Sequence, residues 1–597
     1  GAERVLVDPE RMTAAIGRPH AIDYFVPSWD GLTLAYGMSA GGSEDASLYR
    51  MDVATGKAIG EPISRVRDGL VHWSPDSRML TFNRLRELPK GAAETETFLD
   101  STVFRLKAGD PEAQAKPLFG PLVNKALKMD RLDVAEVIFA ADSPYMIART
   151  TDTTVPEGRL FVAPVADLSK GDRITWQPIA TAADKVTDIR LTGSTLVLRT
   201  NSGAPRGRLL RLPLQEPLLA RAVEVAAEPE TGVLLGFQAG PDAIYAEIRQ
   251  GFDTRVRRFA PGSRDSGVDV APKLAGSTLL TSDFAPGDRD PWLVNSSWTR
   301  STRIFAVAAD GTASDTGLLA ARPVPGAPEV EVSEVMVESH DGARVPLAIL
   351  HRKGLELDGS HPTMLVGYGA YGLSYGANFD PRRLAWLERG GVIAYANVRG
   401  SGAFGDAWHR AGFKTTKPNT WKDGVACARY LIEQKYASPR TLGIIGGSAG
   451  GIFVGRAVTS APDLFAAAVF DVGMLDTVRS EESANGITNV SEFGTVKDPA
   501  EFRALLEMST YQHIEDGVAY PAVMLIHGMN DPRVDVWQSA KTAARLQAVN
   551  KAGKPVLLRL DGDAGHGVGS TARQTADKLA DIYTFLLWQF GRMGLKN

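Results

Sequence analysis

The chain has 597 residues, more than the ~250–300 at which a single hydrophobic core stops growing, so we expect at least two domains. With 44% hydrophobic and 23% charged residues, its composition excludes a disordered or fibrous protein. The 66 Lys and Arg residues against 70 Asp and Glu give a formal net charge of -4, which is too balanced for binding nucleic acid or an anionic membrane surface.

Cysteine content and hydropathy exclude further classes of protein. Cys427 is the only cysteine, so the chain forms no intrachain disulfide and no cysteine zinc site. No apolar stretch approaches the ~20 residues of a membrane-spanning helix, and we expect a soluble protein without membrane insertion. The first residue is Gly1 rather than methionine, which indicates that an upstream segment was removed or is missing. The cytoplasm and the periplasm therefore both stay open.

In the first half of the chain, short apolar runs alternate with turn residues, which is typical of antiparallel strands. A clear example is the turn at 27–31, which separates apolar runs on either side. The units recur about every 52 residues, close to the ~40–50 residues of a four-stranded propeller blade. This spacing predicts roughly six blades with room for a seventh, and an irregular antiparallel sandwich is the alternative. Further turns of this kind lie at 74–77, 141–143, 192–194, 241–243 and 286–288.

The second half has a different rhythm. A proline-rich segment, 322–328, precedes it, and we place the domain boundary there, with residues 1–325 in the first domain and 326–597 in the second. Beyond it, apolar strands alternate with helical stretches, which predicts a parallel sheet with helices on both faces. The predicted strands are 363–368, 392–398, 442–446, 466–472, 522–527 and 556–560; the predicted helices are 423–434, 450–460, 536–548 and 571–587.

One strand-to-helix junction carries a nucleophile motif. The run 442–445 leads into Gly446-Gly447-Ser448-Ala449-Gly450, and G-x-S-x-G between a strand and a helix is the nucleophile elbow of α/β-hydrolases. The glycines are needed because side chains beside the strained serine would collide with the strand and the helix. Ser448 is therefore the predicted nucleophile.

The base and the acid should follow the serine in the order Ser, acid, His. Three histidines come after Ser448; His527 lies in an apolar strand and His513 in an ordinary surface segment, so we predict that His566 is the base. The acid should leave the preceding strand, and Asp531 lies nearest to its end. Asp535 is the alternative, and its other interpretation is the N-cap of the helix that begins near residue 536.

Acyl transfer also needs donors for the oxyanion. One should be the backbone N–H of Ala449, which follows the nucleophile. The second should come from the strand-end loop 367–372, in which Tyr368 carries a suitable hydroxyl. The sequence leaves open that Tyr368 is only a packing aromatic residue.

With these motifs in place, nearly the whole chain resembles the prolyl oligopeptidase family of serine peptidases. The resemblance implies a seven-bladed β-propeller, with the first blade incomplete here, over a C-terminal α/β-hydrolase domain. It also implies that short peptides bind between the two domains and that a segment before the propeller is absent. The motifs that carry it lie at 28–42, 355–362, 367–369, 396–402, 405–409, 446–450 and 531–534.

The resemblance also assigns roles to single residues. Ser448, Asp531 and His566 match the family triad, Tyr368 matches the oxyanion tyrosine, and Arg533 matches the arginine that binds a substrate carbonyl. As an alternative, Arg533 pairs with a surface acid. The residues at the positions that line the family's primary pocket are Tyr371, Met474, Phe493 and Val534.

Two departures concern the family pattern. Ala449 replaces the usual asparagine, which leaves the backbone donor intact. Asn489 stands where prolyl-specific members have a tryptophan that stacks on the substrate proline, so a strict proline preference is not expected. Nearby acids could favour a basic residue, as in the oligopeptidase B group, or simply form a solvated acidic face: Glu481, Glu482 and Glu492.

We therefore predict a monomeric serine oligopeptidase that needs only side chains and water. No metal or nucleotide cofactor is implied, because His-x-x-x-His pairs and phosphate-binding Gly-Lys-Ser/Thr loops are missing. A hydrolase of esters or isopeptide bonds on the same residues is the first alternative. A propeller scaffold that binds peptides without turnover is the second, and an intact elbow argues against it.

Overall fold

A computed structural model of the chain describes residues 3–67, 69–240, 242–260, 267–270, 272, 274–281, 291–308, 310–320 and 324–592. Up to Asp315 the described residues form antiparallel sheets, and from Val330 they form one large sheet covered by helices. The order of these two units along the chain is the one predicted from the sequence.

In the described part of the first unit, six separate antiparallel sheets follow one another, each with its strands in chain order. The first sheet has three strands and the other five have four each. Neighbouring sheets pack through apolar side chains, as Phe119 of the second sheet packs with Val137 and Phe161 of the third. Separate sheets of this kind form a propeller and not a two-sheet sandwich.

The described residues thus form six blades. The expectation of seven is wrong for them, because all the described strands before Val330 belong to these six sheets. The elements are α1 (Pro9–Ile16), β1 (His20–Pro27), β2 (Thr33–Ala40), β3 (Ser47–Asp52), β4 (Val71–Trp73), β5 (Met79–Arg84), β6 (Thr102–Lys107), β7 (Lys116–Phe119), β8 (Val134–Ile138), β9 (Tyr145–Asp152), β10 (Val155–Pro164), β11 (Gln177–Ala180), β12 (Val186–Thr192), β13 (Thr195–Thr200), β14 (Arg208–Pro213), β15 (Val223–Ala226), β16 (Val233–Ala239), β17 (Ile244–Gln250), β18 (Asp253–Phe259), β19 (Val268–Val270), β20 (Ser277–Leu280), β21 (Trp292–Ser296), β22 (Arg303–Val307) and β23 (Ala313–Asp315).

The predicted turns join the first two strands of successive sheets. Residues 27–31 connect β1 to β2, 74–77 connect β4 to β5, and 141–143 connect β8 to β9. The turn at 192–194 joins β12 to β13 in the same way. Pro241 and the whole of 286–288 lie outside the described residues. The domain boundary between 325 and 326 falls in the connection from β23 to the next strand and stays a prediction, and 321–323 lie outside the described residues.

The second unit is built on an eight-stranded sheet, and most of its strands match the prediction within two residues. Its elements, in chain order, are β24 (Val330–Glu338), β25 (Arg344–Arg352), β26 (Thr363–Gly367), α2 (Leu384–Leu387), β27 (Val392–Ala396), α3 (Asp406–Arg410), α4 (Pro418–Glu433), β28 (Leu442–Gly447), α5 (Gly450–Ser460), β29 (Ala467–Asp471), α6 (Val490–Phe493), α7 (Pro499–Met508), β30 (Ala522–Gly528), α8 (Trp537–Val549), β31 (Val556–Asp561) and α9 (Ala572–Gln589).

The strand order across this sheet is β24-β25-β27-β26-β28-β29-β30-β31. The strands from β27 to β31 run parallel to one another, whereas β25 is antiparallel to both of its neighbours. The prediction of a wholly parallel sheet is therefore wrong at this edge, because β24 and β25 form a hairpin. This order and the single antiparallel strand are those of an α/β-hydrolase domain.

Apolar cores lie on both faces of the sheet, as predicted. On one face α4, α5 and α8 contribute Leu431, Phe453 and Leu546 to the core. On the other face α2 and α9 contribute Trp386 and Phe585. Helix α4 begins five residues earlier than predicted, with Pro418 at its first position, where a missing N–H costs nothing.

None of the described helices is long and apolar enough to cross a membrane. In the described part of the chain, no group of three or more His, Cys, Asp and Glu side chains is placed to hold a metal ion.

Candidate active site

Ser448 lies in the turn between β28 and α5, at the carboxyl edge of the sheet. Its φ angle is 55°, in the left-handed region that non-glycine residues adopt only under strain. A Cβ atom on Gly446 would lie 2.6 Å from the carbonyl oxygen of Gly450, and one on Gly450 would lie 3.0 Å from that of Gly367. The turn therefore requires its glycines, and the hydroxyl of Ser448 projects from a fixed, strained backbone.

Asp531 and His566 meet at the same edge of the sheet. Asp531 follows β30, His566 lies between β31 and α9, and Nδ1 of His566 is 2.7 Å from Oδ2 of Asp531. The other oxygen, Oδ1, accepts the backbone N–H groups of Arg533 at 2.8 Å and Val534 at 3.0 Å. Burial alone would raise the pKa of Asp531, but hydrogen bonds from His527 and His566 outweigh it and hold this pKa well below its ordinary value. The pair is a carboxylate and an imidazole in a fixed orientation.

The alternative acid, Asp535, and one of the other histidines, His513, have different partners. Oδ2 of Asp535 accepts the indole N–H of Trp537 at 2.9 Å, and the N-cap of α8 is Val536 and not Asp535. Nδ1 of His513 lies 2.8 Å from the carbonyl oxygen of its neighbour Ser509. The structure thus brings His566 to Asp531.

The candidate oxyanion donors flank Ser448. Burial raises the pKa of Tyr368 to about 12, although a hydrogen bond with Ser448 acts in the opposite direction. Tyr368 therefore keeps its proton at neutral pH. Ala449 is 1% exposed at the N-cap of α5, and within the described residues no acceptor takes its backbone N–H. Ser448 and His566 are not hydrogen-bonded to each other, which is common before substrate binds.

The predicted primary pocket is apolar except for one hydrogen-bonded pair. The hydroxyl of Tyr371 donates to Oδ1 of Asn489 at 2.7 Å, and Nδ2 of Asn489 donates to the carbonyl oxygen of Asn485 at 2.9 Å. The ring of Tyr371 packs edge-on against Phe493 at 5.5 Å, and burial holds the pKa of Tyr371 well above its ordinary value. The two further side chains predicted for the pocket are also buried: Met474 and Val534.

Glu492 lies beside this pocket but is only 1% exposed and fully engaged. Its carboxylate accepts the backbone N–H of Tyr371 at 2.9 Å, faces Nε2 of His409 at 2.8 Å and lies 3.9 Å from Nζ of Lys417. Burial would raise the pKa of Glu492, but the hydrogen bond with His409 and the charge of Lys417 lower it below its ordinary value. Glu492 is therefore an internal carboxylate whose hydrogen-bond and charge partners come from the chain itself.

The other two acids of the predicted acidic group also have partners. Glu481 accepts the backbone N–H of Val496 at 2.6 Å, and Glu482 pairs with Arg479 at 2.5 Å. Glu481 is already bound within the chain, whereas Glu482 forms an exposed surface ion pair, with 64% of its side chain accessible.

Arg533 joins the two units of the chain. Its guanidinium lies 2.8 Å from a carboxylate oxygen of Glu44, a propeller residue whose side chain is 6% exposed. Arg67, also from the propeller, approaches the same oxygen at 3.3 Å. The partner of Arg533 is therefore an internal acid between the units and not a surface acid.

A second contact between the units lies beside Asn489. The connection from β9 to β10 in the propeller brings Thr154 to the segment before α6, where its hydroxyl donates to the carbonyl oxygen of Thr488 at 2.9 Å. The hydroxyl of Ser491 donates to the carboxylate of Asp152, the last residue of β9. Asn489 thus lies between two residues that the propeller holds.

Comparisons with known proteins agree with this arrangement. Two family models match the chain. The model of the "Prolyl oligopeptidase family" matches residues 377–593, and the model of the "Prolyl oligopeptidase, N-terminal beta-propeller domain" matches residues 1–290. The chain belongs to the prolyl oligopeptidase family. It is a serine peptidase of that family.

Several relatives cover most of the chain. The prolyl endopeptidase of Elizabethkingia meningoseptica is 29% identical over 572 residues, which are 95% of this chain and 78% of the relative. The dipeptidyl aminopeptidase BI of Pseudoxanthomonas mexicana is 26% identical over 608 residues, covering 99% of this chain and 79% of the relative. A solved prolyl endopeptidase structure superposes with a TM-score of 0.90 at 27% identity, over 99% of this chain and 85% of that one.

Sequence reasoning missed several residues at this site. Glu44 and Asp152 lie in the propeller, and no local pattern connects them with loops more than 300 residues away. His527 is predicted only as a strand residue, whereas in the structure its ring contacts Asp531. Its position four residues before the predicted acid was the one available signal.

Proposed function

We propose that this prolyl oligopeptidase family member hydrolyses short peptides through an acyl-enzyme on Ser448. The hydrogen bond of 2.7 Å between His566 and Asp531, at the sheet edge where Ser448 sits in its strained turn, is the observation that carries the proposal. With Nδ1–H of His566 directed to Asp531, its Nε2 is the atom left to take the serine proton.

The proposed reaction has two halves. Nε2 of His566 takes the proton of Ser448, whose Oγ forms a bond to the carbonyl carbon, and the hydroxyl of Tyr368 and the N–H of Ala449 stabilise the oxyanion. His566 then gives this proton to the leaving amine as the C–N bond breaks. Water repeats the sequence on the acyl-enzyme, releases the acid and restores Ser448. Asp531 remains ionised throughout and holds the imidazole in one tautomer.

For substrates, we propose short peptides without a strict requirement for proline before the scissile bond. The contacts of Glu44 and Asp152 with the catalytic unit keep the propeller over the site, which favours chains thin enough to enter between the units. Arg533 is proposed to bind a substrate backbone carbonyl. The pocket residues are apolar, but Asn489 presents a small amide in place of a flat aromatic wall on which a proline ring could stack.

Two further points belong to the same proposal. Glu492 is fully engaged and Glu481 accepts a backbone N–H, which disfavours cleavage after basic residues. We also propose a monomer, because every group in the proposed mechanism comes from one chain.

Mass-spectrometric cleavage mapping of a mixed library of short peptides tests the proposal. We would compare the native protein with Ser448→Ala and with Ser460→Ala, a matched control at the far end of α5. Cuts that appear with the native protein and the control but not with Ser448→Ala support it. If no cuts appear while a serine-directed phosphonate still labels Ser448, the hypothesis of short-peptide hydrolysis is refuted. Esters or isopeptides would then be favoured as substrates.

A further inference from the structure

A second histidine touches the Asp531 carboxylate. His527 lies in β30, and its side chain is fully buried. Nε2 of His527 is 2.8 Å from the carbonyl oxygen of Val534 and 3.3 Å from Oδ2 of Asp531. Nδ1 of the same ring is 2.8 Å from the hydroxyl of Ser539 on α8. One imidazole therefore connects the sheet, the loop that carries Asp531 and the helix that follows.

The partners of His527 determine where its hydrogen lies. A backbone carbonyl oxygen can only accept, so Nε2 of His527 carries a hydrogen and donates it to Val534. Oδ2 of Asp531 lies within reach of the same hydrogen. The serine hydroxyl at Nδ1 can rotate to suit either state of that nitrogen. Oδ2 of Asp531 thus lies near two imidazoles, 2.7 Å from Nδ1 of His566 and 3.3 Å from Nε2 of His527.

We propose that His527 is a positioning residue that holds the Asp531 carboxylate for His566. It also weakens the hydrogen bond that this carboxylate accepts from Nδ1–H of His566. The inference rests on the proposed function, in which His566 is the base. An acceptor oxygen that already receives one donor is a weaker acceptor for a second. Without the His527 donor, Asp531 would bind Nδ1–H of His566 more strongly and stabilise the imidazolium. His566 would then become a base only at a higher pH.

Other charges face His527 from the neighbouring strands and helix. Together with the ring they line a small cavity, and they are paired: Asp471 on β29 with Lys578 on α9 at 2.8 Å, and Arg559 on β31 with Asp581 on α9 at 2.6 Å and with Asp561 at 4.0 Å. Arg533, beside Asp531, is paired with Glu44. All of these groups are unchanged in the variants below, so they affect every pH profile equally.

Two amide substitutions separate the two ring nitrogens. The side-chain nitrogen of glutamine reaches the place of Nε2, so His527→Gln keeps a donor toward Val534 and Asp531. The shorter side chain of His527→Asn reaches only the place of Nδ1, so it keeps a partner for Ser539 and loses that donor. The measurement is the pH dependence of kcat/KM for a cleaved peptide, with the rate of phosphonate labelling of Ser448 over the same pH range.

We expect the acidic limb of the His527→Asn profile to lie about half a pH unit or more above that of the native protein, and His527→Gln to restore it. Thr542→Val is the matched control, because Thr542 is buried on α8 and its hydroxyl has no partner within the described residues. If His527→Asn does not fold, His527→Leu fills the same space without a donor and takes its place.

The outcomes are distinct. Lower activity in both amide variants with an unchanged acidic limb would overturn the inference, because it would show that the ring only fills space. A native protein that labels at Ser448 without cleaving peptides would refute the proposed function, while the pH profile of labelling would still decide the role of His527.

Discussion

The pair formed by Tyr371 and Asn489 yields a prediction about what the primary pocket accepts. In the native protein the only side-chain hydrogen-bond donor to Oδ1 of Asn489 within the described residues is the hydroxyl of Tyr371, at 2.7 Å. Asn489 is 7% exposed, so water cannot readily replace this donor. Tyr371→Phe would leave a buried acceptor unsatisfied, at a cost of about 1–3 kcal/mol.

A substrate can relieve that cost if its side chain carries a donor. We therefore expect Tyr371→Phe to raise kcat/KM for peptides with serine or threonine before the scissile bond relative to proline or alanine. A recovery of one to two kcal/mol corresponds to a change of roughly 5–30-fold in this ratio.

The assay is competition between two peptides that differ at this one position, with Tyr371→Phe/Asn489→Leu as the matched control. The double variant has neither the donor nor the acceptor, so its preference should stay apolar. An unchanged ratio in Tyr371→Phe would refute the placement of Asn489 in the pocket wall.

Three further predictions concern other groups of the site. Tyr368→Phe should lower kcat about 100-fold by removing one oxyanion donor; because burial raises the pKa of Tyr368 to about 12, this factor should be constant from pH 6 to 9 in steady-state assays, and a factor that varies with pH would contradict it. Glu44→Gln removes the carboxylate that orients Arg533 and should lower kcat/KM about tenfold, with Glu44→Asp intermediate; equal activity of all three proteins would show that Arg533 needs no orientation. Burial lowers the pKa of Lys417 to about 8, so between pH 8 and its ordinary value of 10.5 the unfolded chain binds more protons than the folded one. The thermal midpoint of the native protein should therefore rise with pH in this window relative to Lys417→Met, and a constant difference would contradict the shift.

Where hydrophobic period and turn chemistry agree, the sequence predicts this fold well. The strands at 442–446 and 522–527 are short, apolar and bounded by glycine or proline, and the structure places β28 and β30 there. Helix α5 has the predicted bounds because glycine residues and the end of a strand mark its start. The hairpin of β24 and β25 was not predicted, although the alternation of charged and apolar residues along β24 is itself typical of a strand with one exposed face.

In the candidate site, too, local motifs and strand order predict the positions of residues. The G-x-S-x-G turn has one backbone geometry wherever a strand leads directly into a helix, so Ser448 could be named from five residues. The placement of Asp531 and His566 follows from strand order, because adjacent parallel strands bring their carboxyl ends to one edge. The number of blades does not follow from the sequence in the same way. The spacing of turns gives a period but does not give the number of strands in each sheet.

Charge partners cannot be obtained from local patterns. Glu492 stands in a segment with Glu481 and Glu482, and three acids close together in sequence suggest an open acidic site. The partners of Glu492 come from position 371, after β26, and from positions 409, on α3, and 417, before α4, so only the folded chain shows that this carboxylate is internal. The segment after β26 also brings the hydroxyl of Tyr371 to Asn489. Glu492 therefore holds the backbone of the residue whose hydroxyl sets the polarity of the pocket, and we infer that it contributes to specificity by fixing Tyr371 and not by binding a basic substrate side chain.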